Sequence, residues 1–456
     1  MSYAIRVALT VALGGFLMGF DASVISGVVT FIEPEFGLTK IELGWSVASL
    51  TLTATLAMML SGPLSDRLGR RPVLKIAAAL FAFSAVASAV APSFIALVAA
   101  RMLGGFGVGA ALIIAPMYIG EIAPPAMRGR MVSFNQLNIV IGISAAFFTN
   151  YLILRVGKSD LPWAQSLGLG QWAWRWMLGV EALPAAFYFF ALFTVPESPR
   201  WLVMNGKEED ARRVLTKVSD RARAEADVSA VKASLDAELD TERATLRELF
   251  RPSMRLVLVI GVSVAILQQV TGINAVFFYA PMIFEQSGIG TDASFMQAVL
   301  VGLVNLVFTV LAILFIDRLG RRPLLGVGLT GIAVCMLLLS YGFGSAEMNP
   351  KIILVGILGF VASFAISLGP VMWVLFSELF PNRVRGLAIS FVGLINSAVS
   401  FSVQLIFPWE LATLGNSVTF LIYGLFAIVG LVIVMWLLPE TKGKSLEALE
   451  AELVSR

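Results

Sequence analysis

Three ionisable residues lie inside long apolar stretches: Asp21, Arg101 and Glu181. Each sits about seven or eight residues from the same end of its stretch. At 1.5 Å per helical residue, that places all three roughly 10–12 Å below one boundary. Ionisable side chains inside a membrane are costly and usually functional. One guanidinium and two carboxylates leave a net negative charge in a medium of low dielectric, so one carboxylate is able to hold a proton. That is the chemistry of a proton carrier. The chain has no histidine, which leaves a carboxylate as the ready candidate. The competing reading is a static ion network that ties helices together.

A second set is neutral. Gln136, Gln268, Gln269, Asn274, Asn305 and Asn396 lie in apolar stretches, as does Trp373. Amides both donate and accept hydrogen bonds, and an aromatic ring stacks on an apolar face. Together they suit a sugar, whose hydroxyls donate and accept and whose ring faces are apolar. Gln268 and Gln269 are adjacent and point about 100° apart on a helix, so a bend near Gly272 would help Asn274 converge with them. A lone amide is equally well read as helix–helix glue.

A third set is charged and repeats. "SDRLGRRP" (Ser65–Pro72) returns as "IDRLGRRP" (Ile316–Pro323), each between apolar runs. "EIAPPAMRGR" (Glu121–Arg130) is echoed by "ELFPNRVRG" (Glu378–Gly386), and "PESPRW" (Pro196–Trp201) by "PETKG" (Pro439–Gly443). Near-constant offsets between the copies mean a parallel internal repeat, the layout of a rocking transporter with its site near the membrane midplane.

The elements that must carry these residues follow from composition. The 456 residues are 58% hydrophobic and 14% charged, with a mean hydropathy of +0.86. A soluble protein carries about 25% charged residues. The apolar stretches run about 20–28 residues, enough to cross about 30 Å of hydrocarbon as helices. Twelve spans are expected, from 5–30 through 174–195 to 417–438, with the first retained rather than cleaved as a signal peptide. The Lys and Arg excess falls on one set of loops, which places both termini and the repeated turns in the cytoplasm.

Residues 196–255 turn polar, with Val214, Val218 and Leu235 at helical spacing, and read as short amphipathic cytoplasmic helices. The expected division is therefore a six-span half over 1–195, a linker over 196–255, a six-span half over 256–438 and a tail over 439–456. The single Cys335 rules out a disulfide within the chain and reads as core filler. "GGFGVG" (Gly104–Gly109) lies mid-span with no strand before it, so it reads as close helix packing rather than a nucleotide loop. No nucleophile–base set or metal cluster is visible, so an enzyme is not expected, nor are a cofactor, a metal or a nucleic-acid partner. A receptor built on a transporter scaffold would usually carry a long tail, which is not seen after Gly443.

"GPLSDRLGRRP", "RMLGGFGVGAALIIAPMYIGEIAPPAMRGR", "PESPRWL", "QQVTGINAVFFYAP" and "PETKGKSLEALE" resemble, in order and over essentially the whole chain, the sugar porter family of the major facilitator superfamily. The resemblance implies an all-α membrane protein of twelve helices in two pseudo-symmetric halves with cytoplasmic linker helices, working by alternating access. It implies a proton-coupled monosaccharide symporter acting as a monomer in the plasma membrane, with sugar, protons and the lipid bilayer as partners. Symporters of the family carry an aspartate at the position of Asp21, where uniporting glucose carriers have a neutral amide. Arg101 and Glu181 match its partners. In the second half "GIN" puts Asn274 where "GFD" puts Asp21. The amides, Tyr279 and Trp373 match the sugar site. Asp66, Arg70, Arg71, Glu121, Arg128, Glu197 and Arg200, with Asp317, Arg321, Arg322, Glu378, Arg385 and Glu440, match cytoplasmic charge networks that open and close during transport. Two departures touch the pocket: Phe278 stands where some relatives have a tyrosine, and Ser397 where many have a tryptophan. A facilitative uniporter and a proton-coupled carrier of a polyol such as inositol remain the alternatives.

Overall fold

The computed structural model describes residues 2–124, 127–219, 221–240, 245–381 and 383–442, and these are helical with no strand among them. Apolar runs of membrane length have no other open way to satisfy their backbone. Among the described residues, eleven helical stretches are long and apolar enough to cross a membrane. In chain order the elements that matter are α1 (Ser2–Val24), α2 (Lys40–Leu68), α3 (Arg70–Ala89), α4 (Phe94–Ile122), α5 (Arg128–Gly157), α6 (Ala173–Gly179), α7 (Ala182–Ala191), α8 (Pro199–Met204), α9 (Glu208–Val218), α10 (Arg221–Asp240), α11 (Arg255–Val270), α12 (Ile273–Glu285), α13 (Thr291–Leu319), α14 (Arg321–Gly344), α15 (Pro350–Ile366), α16 (Leu368–Leu379), α17 (Arg385–Thr413) and α18 (Asn416–Leu437).

The sixth expected span, 174–195, is built from two short helices, α6 and α7, instead of one long one. The cause is Pro184, which has no N–H to offer the carbonyl of Val180. Leu183 N takes that carbonyl instead at 3.2 Å, and Ala185 N resumes the regular ladder to Glu181 O at 3.1 Å. Glu181 therefore sits where the ladder is interrupted, its own backbone still right-handed helical at φ −61° and ψ −26°. Two other breaks shape the second half. α11 and α12 meet at Gly272, and α15 and α16 meet at Ser367, whose φ of −125° and ψ of −95° are not helical. There Pro370 denies an N–H to Ile366.

The chain folds as two compact units, 1–25 with 49–243 and 26–48 with 244–456. The core of the first unit gathers Leu17, Phe81, Ile114, Tyr118 and Tyr188, and it extends to Ala211, Val214, Leu215 and Val218 of α9. The polar stretch thus forms amphipathic helices, with Leu235 packed against the same core. In the second unit Trp45 meets Phe401 edge-to-face at 5.7 Å, and Phe31 meets Phe295 at 6.3 Å.

The repeated turn owes its glycine to two constraints. Gly69 joins α2 to α3 at φ +101°, and Gly320 joins α13 to α14 at φ +91°. A side chain is strained in that region. A Cβ at Gly69 would also lie 2.4 Å from Glu197 Oε2, and one at Gly320 would lie 2.8 Å from Glu440 Oε2. The turn leaves the first N–H groups of the following helix unpaired, and a carboxylate from far along the chain closes on them in each copy.

Candidate functional site

In the first unit, α1 brings Asp21 against Arg101 of α4, with Arg101 Nη1 3.5 Å from Asp21 Oδ1 and the two side chains 2 and 3% exposed. Glu181, 3% exposed at the α6–α7 junction, interacts electrostatically with both. Among the described residues, Asp21 Oδ2 and Glu181 Oε1 have no hydrogen-bond partner. Carboxylate oxygens buried without a donor are costly unless a proton, a partner or a conformational change relieves them. Gly104 makes the arrangement possible: a Cβ there would lie 2.5 Å from Ser84 Oγ and 2.9 Å from Asp21 Oδ2. Its neighbours Gly105 and Gly109 sit as tightly against Thr53 and Ala54 O. The glycine-rich run is helix packing.

In the second unit the amides form one connected network. Gln268 Nε2 donates to Leu368 O, just past the α15–α16 break, at 3.2 Å. Gln268 Oε1 accepts from Gln269 Nε2 at 3.1 Å and Asn396 Nδ2 at 2.8 Å. Gln269 Nε2 also donates to Asn396 Oδ1 at 3.2 Å, and Gln269 Oε1 accepts from Asn274 Nδ2 at 2.7 Å. The bend at Gly272 does bring Asn274 back to its neighbours. The network continues through residues not singled out above. Asn274 Nδ2 and Gln404 Nε2 both donate to Ser400 Oγ, at 2.7 and 2.8 Å. Asn396, Ser400 and Gln404 recur every four residues on α17, so they share one helix face.

Among the described residues, the other candidates share no side-chain bond with that network, and only Tyr279 touches it, through a main-chain carbonyl. Asn305 is buried on α13 and, among the described residues, makes no hydrogen bond with the amide set. Gln136, on α5 in the first unit, is exposed. Trp373 is 49% exposed on α16, edge-to-face with Phe376 at 5.9 Å. Tyr279 is fully buried, its hydroxyl donated to Gln404 O at 3.0 Å.

The charged residues form one cluster per unit. Arg70 takes Glu121 in a two-pronged fork, Nε to Oε2 at 3.1 Å and Nη2 to Oε1 at 3.0 Å, and holds Asp66 at 2.8 Å. Such forks are directional. Glu197 accepts the backbone N–H groups of Arg70 and Arg71, at 3.0 and 3.2 Å from Oε1. Arg71 turns its guanidinium to the carbonyls of Leu192 and Phe193. Ser198 Oγ donates to Glu121. The second unit repeats the plan. Arg321 grips Glu378 at 2.7 Å, Glu440 accepts Arg321 N and Arg322 N at 3.0 and 3.1 Å, and Thr441 Oγ1 donates to Glu378 at 2.7 Å. Arg385 Nε donates to Phe380 O at 3.1 Å. Arg128 is exposed and, among the described residues, makes no ion pair. Arg200 lies on α8 beside this cluster in sequence. The side chain of Asp317 lies outside the described residues.

The two capping glutamates titrate differently. Burial pushes the Glu197 carboxyl above its ordinary 4.5, against the pull of N–H donors from Ser198, Arg71 and Arg70. Burial acts the same way on Glu440, but the backbone N–H groups of Lys442, Arg321, Arg322 and Thr441 outweigh it and hold the carboxyl below 4.5. A lowered carboxyl stabilises the fold fully above its unfolded value and loses that contribution as pH falls. A raised one favours the fold below its unfolded value and loses that as pH rises. The melting-temperature deficit of Glu440→Gln is therefore expected to be greater at pH 7 than at pH 4, and that of Glu197→Gln the reverse. Thermal melts of both variants in detergent check this, and equal trends with pH would contradict it.

A helical membrane chain with two repeated halves, a buried charge trio in one unit and a network of amides in the other has the architecture of a major facilitator secondary transporter. Residues 7–453 match the family described as Sugar (and other) transporter, and the chain belongs to that family. It is 39% identical to the D-xylose-proton symporter of Escherichia coli over 99% of this chain and 96% of that one. It is 37% identical to the Arabinose-proton symporter of Bacillus subtilis over 99% of this chain and 95% of that one. The inward open conformation of the xylose transporter XylE from E. coli superposes with a TM-score of 0.85 at 36% identity, covering 99% of this chain and 100% of that one. The family and these relatives are transporters, not enzymes.

Proposed function

We propose that this protein is a proton-coupled monosaccharide symporter that works by alternating access. The observation that carries the reading is the buried Asp21–Arg101 pair with Glu181 beside it, which leaves two carboxylate oxygens without a donor. Such a group gains from binding a proton. Asp21 is the coupling carboxylate, and Arg101 and Glu181 set its affinity for the proton. The sugar is held mainly by Gln268, Gln269, Asn274 and Asn396, with Trp373 as the stacking ring and Gln136, Asn305 and Tyr279 as further contacts. The Arg70 and Arg321 clusters stiffen the ends that act as the cytoplasmic gate. Their forks can break and re-form as spans tilt. The chain lies in the plasma membrane as a monomer, with both termini cytoplasmic and a helical linker over 196–255 between six-span halves.

The names of the relatives favour a pentose. A polyol is the second reading, because the chain is also 35% identical to the Major myo-inositol transporter IolT of Bacillus subtilis, and the pocket lacks a ring at Ser397. Uptake of labelled xylose, arabinose, glucose and myo-inositol into proteoliposomes, with and without an inward proton gradient, tests the proposal. Accumulation of a sugar above equilibrium only with the gradient is the expected result. Gradient-independent equilibration would make the protein a uniporter and Asp21 a structural ion partner.

A further inference from the structure

One carboxylate–phenol pair, a half-buried Glu410 and a buried Tyr423, has no part in the reading above. Glu410, near the end of α17, accepts the hydroxyl of Tyr423 on α18 at 2.7 Å. Tyr423 is 3% exposed, so a phenol at this position needs a partner for its O–H. Its ring lies against Gly272: a Cβ on that residue would come within 2.4 and 2.6 Å of Tyr423 Cδ2 and Cε2. Gly272 is in the left-handed region, at φ +89° and ψ 16°, and two residues on is Asn274. Tyr423 also stacks on Phe407 at 6.2 Å, and Phe407 packs on Tyr279 at 5.3 Å. Tyr279 is the second point at which α12 departs from helical geometry. The three rings thus line both irregular points of α12, and Glu410 holds the outermost ring by its hydroxyl.

We propose that Glu410 is a positioning residue for the sugar site. Through Tyr423 it keeps an aromatic wedge against Gly272, and the wedge fixes the bend that delivers Asn274 to Gln269 and Ser400. The wedge is a property of the second unit alone, and its consequence for affinity rests on the sugar reading above. A bend maintained by packing relaxes when the packing group is free to turn. A glutamine at 410 still offers a carbonyl to the phenol, whereas a leucine offers none.

The test uses the full-length protein in proteoliposomes and in detergent, with two readouts. Counterflow exchange of labelled xylose, at equal pH on both sides, gives half-saturation and maximal rate. Hydrogen–deuterium exchange over residues 270–276 reports the bend without any sugar. Glu410→Leu and Tyr423→Phe are each expected to raise half-saturation about fivefold, the scale of one lost hydrogen bond, with the maximal rate kept. Both should speed amide exchange over 270–276. Glu410→Gln should stay within about twofold of the wild type, and the Glu410→Leu/Tyr423→Phe double variant should be no worse than either single. If Glu410→Leu does not fold, Tyr423→Phe reads the same bond. Unchanged amide exchange in both singles, or effects that multiply in the double variant, would overturn the proposal. A wild type that exchanges no sugar would defeat the sugar reading while the amide-exchange readout still decides the wedge.

Discussion

Asp21→Asn is expected to abolish concentrative uptake and leave sugar exchange in place. The geometry gives the reason. In the wild type one guanidinium, Arg101, faces two buried carboxylates, Asp21 and Glu181. The surplus negative charge is what makes a proton worth binding. With asparagine the surplus is gone, Arg101 is balanced by Glu181 alone, and the site is neutral whether or not protons are available. The transporter can then move between its states with sugar but without a proton. One proton moved per sugar across about 100 mV is worth about 2.3 kcal/mol, enough for an accumulation ratio of about 50. In Asp21→Asn that ratio should fall to about 1, while counterflow of labelled sugar continues. Retained uphill uptake would remove Asp21 from the coupling role. A static ion network would behave differently: breaking a buried pair would lower the yield of folded protein, and whatever folded would still accumulate sugar.

The approach of Asp21 to Arg101 was legible because a helix converts residue count into distance. Counting from span ends put Asp21, Arg101 and Glu181 at one level, and Asp21 and Arg101 do meet. The repeats were legible for the same reason that they repeat: each copy of "DRLGRRP" must make a turn at a glycine with positive φ. What the sequence hid was which atoms meet. Glu197 and Glu440 are acidic residues near arginines and read as partners for guanidinium groups. They take backbone N–H groups instead, because the helix start after each glycine exposes donors that no residue type announces. Arg71 is freed to bind carbonyls. The hydroxyl after each of those glutamates, Ser198 and Thr441, bonds Glu121 and Glu378 in turn. The signal for that contact was its recurrence in "PES" and "PET". Ser400 and Gln404 had a signal too, a hydrogen-bonding residue every fourth position after Asn396 on one face of the helix. The two-piece sixth span had only Pro184 to mark it.

Under the proposed function, the same contrast divides the labour between the two units. The first buries a guanidinium between carboxylates, groups that carry full charge. The second buries amides whose donors and acceptors are already engaged with each other. Under that proposal the network is a template for a sugar, because each amide–amide bond can be exchanged for an amide–hydroxyl bond at little cost. The members that hold the template to the backbone should therefore matter more than those at its edge.

Gln268 is that anchor, and Gln268→Ala should produce the opposite phenotype to Asp21→Asn. Its Nε2 reaches Leu368 O beside the α15–α16 break, and its Oε1 accepts from both Gln269 and Asn396. Alanine removes all three bonds at a site only 6% exposed. Asn396 keeps Ala265 O, and Gln269 keeps Asn396 Oδ1, so the network loosens without collapsing. Unsatisfied buried polar groups cost about 1–3 kcal/mol each, which sets a loss of sugar affinity of about 10- to 100-fold. The charge trio is untouched, so at saturating sugar the gradient should still drive accumulation to the wild-type ratio. Half-saturation and accumulation ratio, measured on the same proteoliposomes, separate the two effects. If Gln268→Ala lowered the accumulation ratio at saturating sugar as Asp21→Asn does, the division of labour between charge and amides would be wrong. If it left half-saturation unchanged, the amide network would be helix–helix glue and the sugar would bind elsewhere.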